Sequence, residues 1–115
     1  MLRKKCKLEK VYTSLPFRHP ANNILLEGRG YYKIIGRITL EKALELVMRN
    51  RNYYTSIFVY DKKSNIIYKR DIGPKYFGVI GNSSYCDLSF WEMKKRVKKI
   101  RFSYFTNVEH VDIYL

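Results

Sequence analysis

No apolar run in this chain is longer than a β-strand can use. The longest, such as Ile57-Phe58-Val59-Tyr60, are strand-sized and far short of the roughly 20 residues of a membrane-spanning helix. Such a chain must build its core from several short elements laid against one another. Its 115 residues suffice for one core and one domain, residues 1–115. That excludes a large multidomain enzyme, a repeat array and a collagen-like rod. Hydrophobic residues make up 46% and aromatics 16%, too many for a disordered polybasic tail. The basic start is not followed by an apolar stretch, so the expectation is a cytoplasmic protein without a secretory leader and with no membrane role.

The charge balance is one-sided. Lys and Arg number 23 against 10 Asp and Glu, a net +13, which directs attention to polyanionic partners. Cys6 and Cys86 are too few for a disulfide framework or a closed zinc site. His19 and His110 share no metal-ligand spacing with them, so no metal or cofactor is expected. The chain is rich in Tyr (11), Ile (11), Lys (14) and Asn (7) and has two Ala. That bias suits A/T-rich coding, as in a low-GC bacterium, a phage or a mobile element.

Along the chain, residues 1–10 read as a flexible basic arm, or as the approach to a strand from Cys6 to Thr13. Ser14 to Asn23, with two prolines and two asparagines, reads as loop. Gly28-Arg29-Gly30 reads as a turn, and Tyr31 to Ile38 as a strand. Thr39 is an N-cap for an amphipathic helix whose inner face is Leu40, Ala43, Leu44, Val47 and Met48. Glu41 and Glu45 lie early and Arg49 late, as the helix dipole prefers. Tyr53 to Tyr60 and Ile66 to Ile72 form a hairpin around the turn Asp61 to Asn65. Phe77 to Ile80 reads as a short further strand. Ser89 and Glu92 make a capping box, and Phe90, Met93, Val97 and Ile100 mark one face of a second helix. Val108 to Leu115 alternates as a last strand.

The fold expected is α+β: a small antiparallel sheet of four to five strands with two helices packed on one face. The order β-α-β-β-α-β matches the ferredoxin-like arrangement, which RNA-recognition domains also use. The segment Asn65 to Asp71 lacks the glycine and paired aromatics of an RNP1 motif, so no family is claimed.

The main candidate site is the second helix, with Lys94, Lys95, Arg96, Lys98, Lys99 and Arg101 on a solvated face. Their mutual repulsion would be relieved by a polyanion, with release of its counterions. The arm adds Arg3, Lys4, Lys5 and Lys7. Tyr54, Ser56, Phe58 and Tyr60 share a strand face, with Ile66, Tyr68 and Arg70 expected alongside as a base-stacking platform. The plain alternative is a solvated charged face and half-buried strand tyrosines. The sequence therefore predicts a small, non-catalytic protein that binds RNA or DNA through phosphates. The alternative is a phage or mobile-element inhibitor that docks on an acidic host protein or nucleoprotein complex. A third reading is a toxin-type ribonuclease using Arg18, His19 and Glu27; Cys86 with His110 as nucleophile and base is weaker still. Val108 to Leu115, taken as an edge strand, would allow a homodimer.

Overall fold

The computed structural model describes residues 6–50, 54–73, 83–84, 88–106 and 108–115. Among the described residues strands take 58% and helix 15%, which overturns the expected four-to-five-stranded sheet with two packed helices. The strands are β1 (Lys7–Arg18), β2 (Leu25–Ile35), β3 (Tyr54–Tyr60), β4 (Ile66–Ile72), the two-residue β5 (Ser83–Ser84), β6 (Lys99–Phe105) and β7 (Val108–Tyr114). The helices are α1 (Leu40–Arg49) and the single turn α2 (Phe90–Met93). All strands join one sheet in the order β1-β2-β6-β7-β3-β4-β5. Every pairing is antiparallel except β3 with β7.

α1 forms as its sequence dictates. The Thr39 hydroxyl accepts from the Lys42 N–H at 3.4 Å, and Glu45 pairs with Arg49 at 2.7 Å one turn on. Its apolar stripe, Leu40, Ala43, Leu44 and Val47, is buried. The sheet residues that complete the core alternate strictly: Ile57 and Val59 on β3, Ile100 and Phe102 on β6, Val111 and Ile113 on β7. The β3–β4 turn is fastened by Asp61, whose Oδ1 accepts from the Lys63 and Asn65 N–H groups at 2.9 and 2.8 Å. Those backbone donors, Asn65 first, hold the Asp61 carboxyl below the usual carboxylate range.

The second helix is where expectation and structure part. The capping box forms, with the Ser89 hydroxyl accepting from the Glu92 N–H at 3.3 Å, but the helix stops after Met93. Lys94 to Lys98 run instead as a strap along the residues before α1. The Leu40 N–H donates to the Lys95 carbonyl at 2.8 Å and the Val97 N–H to the Ile38 carbonyl at 2.9 Å. From Lys99 the chain is strand. Continuing the helix would stack six cations over two turns with Glu92 as their one near acid. The strand instead sends Ile100, Phe102 and Tyr104 inward and Lys99, Arg101 and Ser103 outward.

Three smaller expectations also change. The segment expected as loop after Thr13 continues as β1 to Arg18; Pro16 is tolerated because β1 is an edge strand. Gly28 and Gly30 lie inside β2 rather than in a turn. β7 is paired on both sides, by β6 and β3, so it offers no free edge for a dimer. Arg3, Lys4, Lys5, Cys86 and the expected strand from Phe77 to Ile80 lie outside the described residues.

On the α1 side of the sheet one charged group is buried among the described residues. Glu109, 2% exposed, accepts from Lys10, from the Tyr104 hydroxyl and, at 3.3 Å, from the Tyr32 hydroxyl. Burial first, then the Glu109 charge, holds both phenols well above their ordinary value. An unfolded tyrosine titrates near pH ~10. Above that pH the folded state therefore keeps protons the unfolded state releases, so this contribution is full below pH ~10 and is lost as pH rises beyond it. We expect urea midpoints to fall steadily above pH ~10, and Tyr32→Phe to flatten that fall. An unchanged alkaline slope in the variant would exclude the phenol as its source.

Candidate nucleic-acid interface on the open sheet face

The face away from α1 is set by the register. One row across the sheet reads Tyr31 (β2), Arg101 (β6), Asp112 (β7), Phe58 (β3) and Lys69 (β4). The next reads Arg29, Ser103, His110, Ser56 and Asp71. A third places Lys99 beside Tyr114 and Tyr60. Cations and rings therefore alternate over the face.

The rings pack in pairs. Phe58 and His110 stack with centroids 4.8 Å apart and planes 18° apart. Tyr60 and Tyr114 stack at 4.9 Å and 12°. Lys69 Nζ lies 5.6 Å from the Phe58 ring centre, and Lys99 Nζ lies 4.8 Å from that of Tyr114. Arg101 Cζ is 5.9 Å from the same Tyr114 ring. Such contacts place a cation on the negative face of the ring. Tyr60 donates its hydroxyl to Asp112 Oδ1 at 3.1 Å. Burial and then the Asp112 charge push the Tyr60 phenol up to about 12, so it remains a donor at neutral pH.

Among the described residues, Lys10 pairs with Glu109 on the opposite face, Lys42 and Arg49 each pair with Glu45 on α1, and Lys7 pairs with Glu9 at 3.0 Å on β1. Arg29, Lys69, Lys99 and Arg101 have no carboxylate within 4.0 Å among the described residues. Between Arg29 and Arg101 the face dips into a depression of ≈ 440 Å³ whose lining includes Tyr31, Ser103 and Asp112.

The sequence-derived candidates divide. Lys99 and Arg101 belong to the open face, as does Tyr54, which is 53% exposed at its rim. Lys94 lies with Nζ 5.2 Å from the Phe90 ring centre; Lys95, Arg96 and Lys98 are exposed on the strap. Lys7 is engaged by Glu9. Tyr68 and Arg70 face the other way. A register shift between Val59 and Tyr60 sets Tyr68 against Val59, which buries Tyr68 and turns the Arg70 guanidinium toward Met48 Sδ at 3.7 Å. Lys69 takes their place on the platform. Arg29, Tyr31, Asp112 and Tyr114 were not singled out by sequence reasoning; the alternation of β6 and β7 was the signal that could have found the last two.

The ribonuclease candidates sit apart from this face's centre. His19 is in the β1–β2 loop, its Nδ1 accepting from the Ala21 N–H at 3.1 Å, and Arg18 reaches the Asn23 carbonyl at 3.5 Å. Glu27 lies on β2 across from Phe17. Among the described residues no group of three or more His, Cys, Asp or Glu could hold a metal ion. No helix there is long and apolar enough to cross a membrane. Compared with protein-family models, curated proteins and solved structures, the chain matches none.

Proposed function

We propose that this protein binds single-stranded nucleic acid, RNA or DNA, on the open face of its sheet and performs no catalysis there. The observation that carries this reading is the interleaving of aromatic rings with four cations that lack carboxylate partners among the described residues. Phosphates would supply the missing counter-charge, and unstacked bases would meet the exposed rings. A duplex presents phosphates but hides its base faces, so it uses half of this surface. Lys95, Arg96 and Lys98 on the strap extend the cationic field beside β6.

A second reading, docking on an acidic host protein, is favoured by Leu15 and Phe17, which stand 93% and 55% exposed on the outer end of β1. Polar rims around apolar anchors are common at protein interfaces.

Anisotropy titrations with labelled single-stranded RNA, single-stranded DNA and duplex DNA from about 50 to 300 mM salt separate the two. The expected result is a single strand bound more tightly than duplex. Lys99→Ala and Lys69→Ala should each reduce the log–log salt slope by about 0.7. Tyr31→Ala should weaken single-strand binding about tenfold while leaving the slope in place. Equal affinity for duplex, or variants without effect, would sink the open-face reading; binding confined to the lowest salt would favour the acidic-protein reading.

A further inference from the structure

Among the described residues the depression between Arg29 and Arg101 has one acid in its lining, Asp112. Arg101 is its cross-strand neighbour on β6, and the two are nonetheless not within ion-pair distance. A carboxylate has about four acceptor directions. The Tyr60 hydroxyl takes one of them on Oδ1 and fixes the group in place. The small Ser103 leaves the adjoining position open between Arg29 and His110. The site therefore presents a fixed acceptor pair beside an exposed guanidinium donor, with rings around it. A phosphate fits the arginines but is repelled by Asp112. A base edge with both donors and an acceptor suits all three.

Resting on the open-face reading, we infer that this depression reads a guanine base of the bound single strand. The guanine N1–H and N2–H donate to the Asp112 carboxylate, and its O6 accepts from Arg101. The other bases match less well. Uracil or thymine offers one donor flanked by two acceptors, so the carboxylate meets an oxygen. Adenine sets its N1 lone pair against the second carboxylate oxygen. Cytosine needs two donors from Arg101 and one acceptor from Asp112. In this structure the acceptor is the group held in place, while the Arg101 guanidinium is drawn toward Tyr114.

The test uses the full chain and labelled heptamers, each as RNA and as DNA. The reference is the all-pyrimidine strand U7 or T7, compared with strands carrying one central guanine, adenine, cytosine or hypoxanthine. The central guanine should tighten binding about tenfold over the reference. Hypoxanthine, which lacks the N2 donor, should lose most of that gain. Asp112→Asn should abolish the ratio between the guanine and reference strands, and Tyr60→Phe should reduce it. Because the readout is a ratio on one protein sample, partial unfolding of a variant does not mimic it. A preference for cytosine or adenine, or no preference among strands that do bind, would overturn the guanine assignment and leave the open-face reading standing. Failure of every heptamer to bind would overturn both.

Discussion

Replacing Lys10 with methionine should lower stability by about 3 kcal/mol at pH 7, a fall of about 10 °C in the unfolding midpoint. Lys10 starts on β1 and reaches across β2 and β6 to Glu109 on β7. On the way its Nζ passes within 5.6 Å of the Tyr32 ring centre, 5.2 Å of Phe102 and 4.8 Å of Tyr104. Methionine keeps most of that apolar stem but removes the charge. Glu109 then remains buried with two phenol donors and no cation. Breaking a buried pair from one side costs about 3–5 kcal/mol, because the surviving charge is uncompensated. The lower end applies, since the Lys10 side chain is 24% exposed and water can reach the vacated place. Glu109→Gln in the Lys10→Met background should recover much of the loss, because the Gln carbonyl still accepts from a phenol and no charge is left behind. Chemical denaturation of the four proteins of this cycle measures it. A Lys10→Met cost below about 1 kcal/mol would place Glu109 in effective contact with solvent.

How far the sequence could be read depended on how many elements a feature needed. α1 was legible in full, because its cap, stripe and charges all lie within twelve residues and agree. The β3–β4 hairpin and the alternation of β7 were legible for the same reason. The stretch after Met93 was ambiguous locally. Val97 and Ile100 fit a helical face with Phe90 and Met93, yet Ile100, Phe102 and Tyr104 also alternate. Tertiary pairing resolved it: β6 is held between β2 and β7, a partnership no local pattern records. Lys99 and Arg101, expected on a helix, thus lie on a strand. The face of Tyr54, Phe58 and Tyr60 was read correctly, whereas one register shift exchanged Tyr68 and Arg70 for Lys69. Asp112 beside Arg101 needed the β6–β7 register, and Phe58 beside Asp112 needed the parallel β3–β7 pairing, so the depression had no local signature at all.

Gly30→Ala should be among the most damaging single substitutions, costing about 3 kcal/mol. A Cβ at Gly30 would lie 1.9 Å from the Val11 carbonyl oxygen and 2.9 Å from Tyr12 Cα. Both are backbone atoms of β1, so no rotamer change relieves the clash; the strand itself has to move. The glycine allows β1 to cross closely there, next to the irregularity between Tyr12 and Ser14. The crossing also sets Tyr12 edge-on to Phe102 at 5.1 Å. Gly28 makes the contrast, because its added Cβ would meet Pro16 and Tyr12 atoms at 3.4 Å, an ordinary contact, so Gly28→Ala should be much milder. Lys10 precedes the crossing by one residue, and a displaced β1 shortens its reach to Glu109. The costs of Gly30→Ala and Lys10→Met should therefore combine sub-additively, by more than the ~0.5 kcal/mol scatter of independent sites. Strict additivity would mean that β1 absorbs the methyl group without moving Lys10. In that case the β1–β2 pairing and the Glu109 cluster are separate sources of stability. Sub-additivity would instead make Gly30 the residue that brings the Lys10 charge to the buried carboxylate.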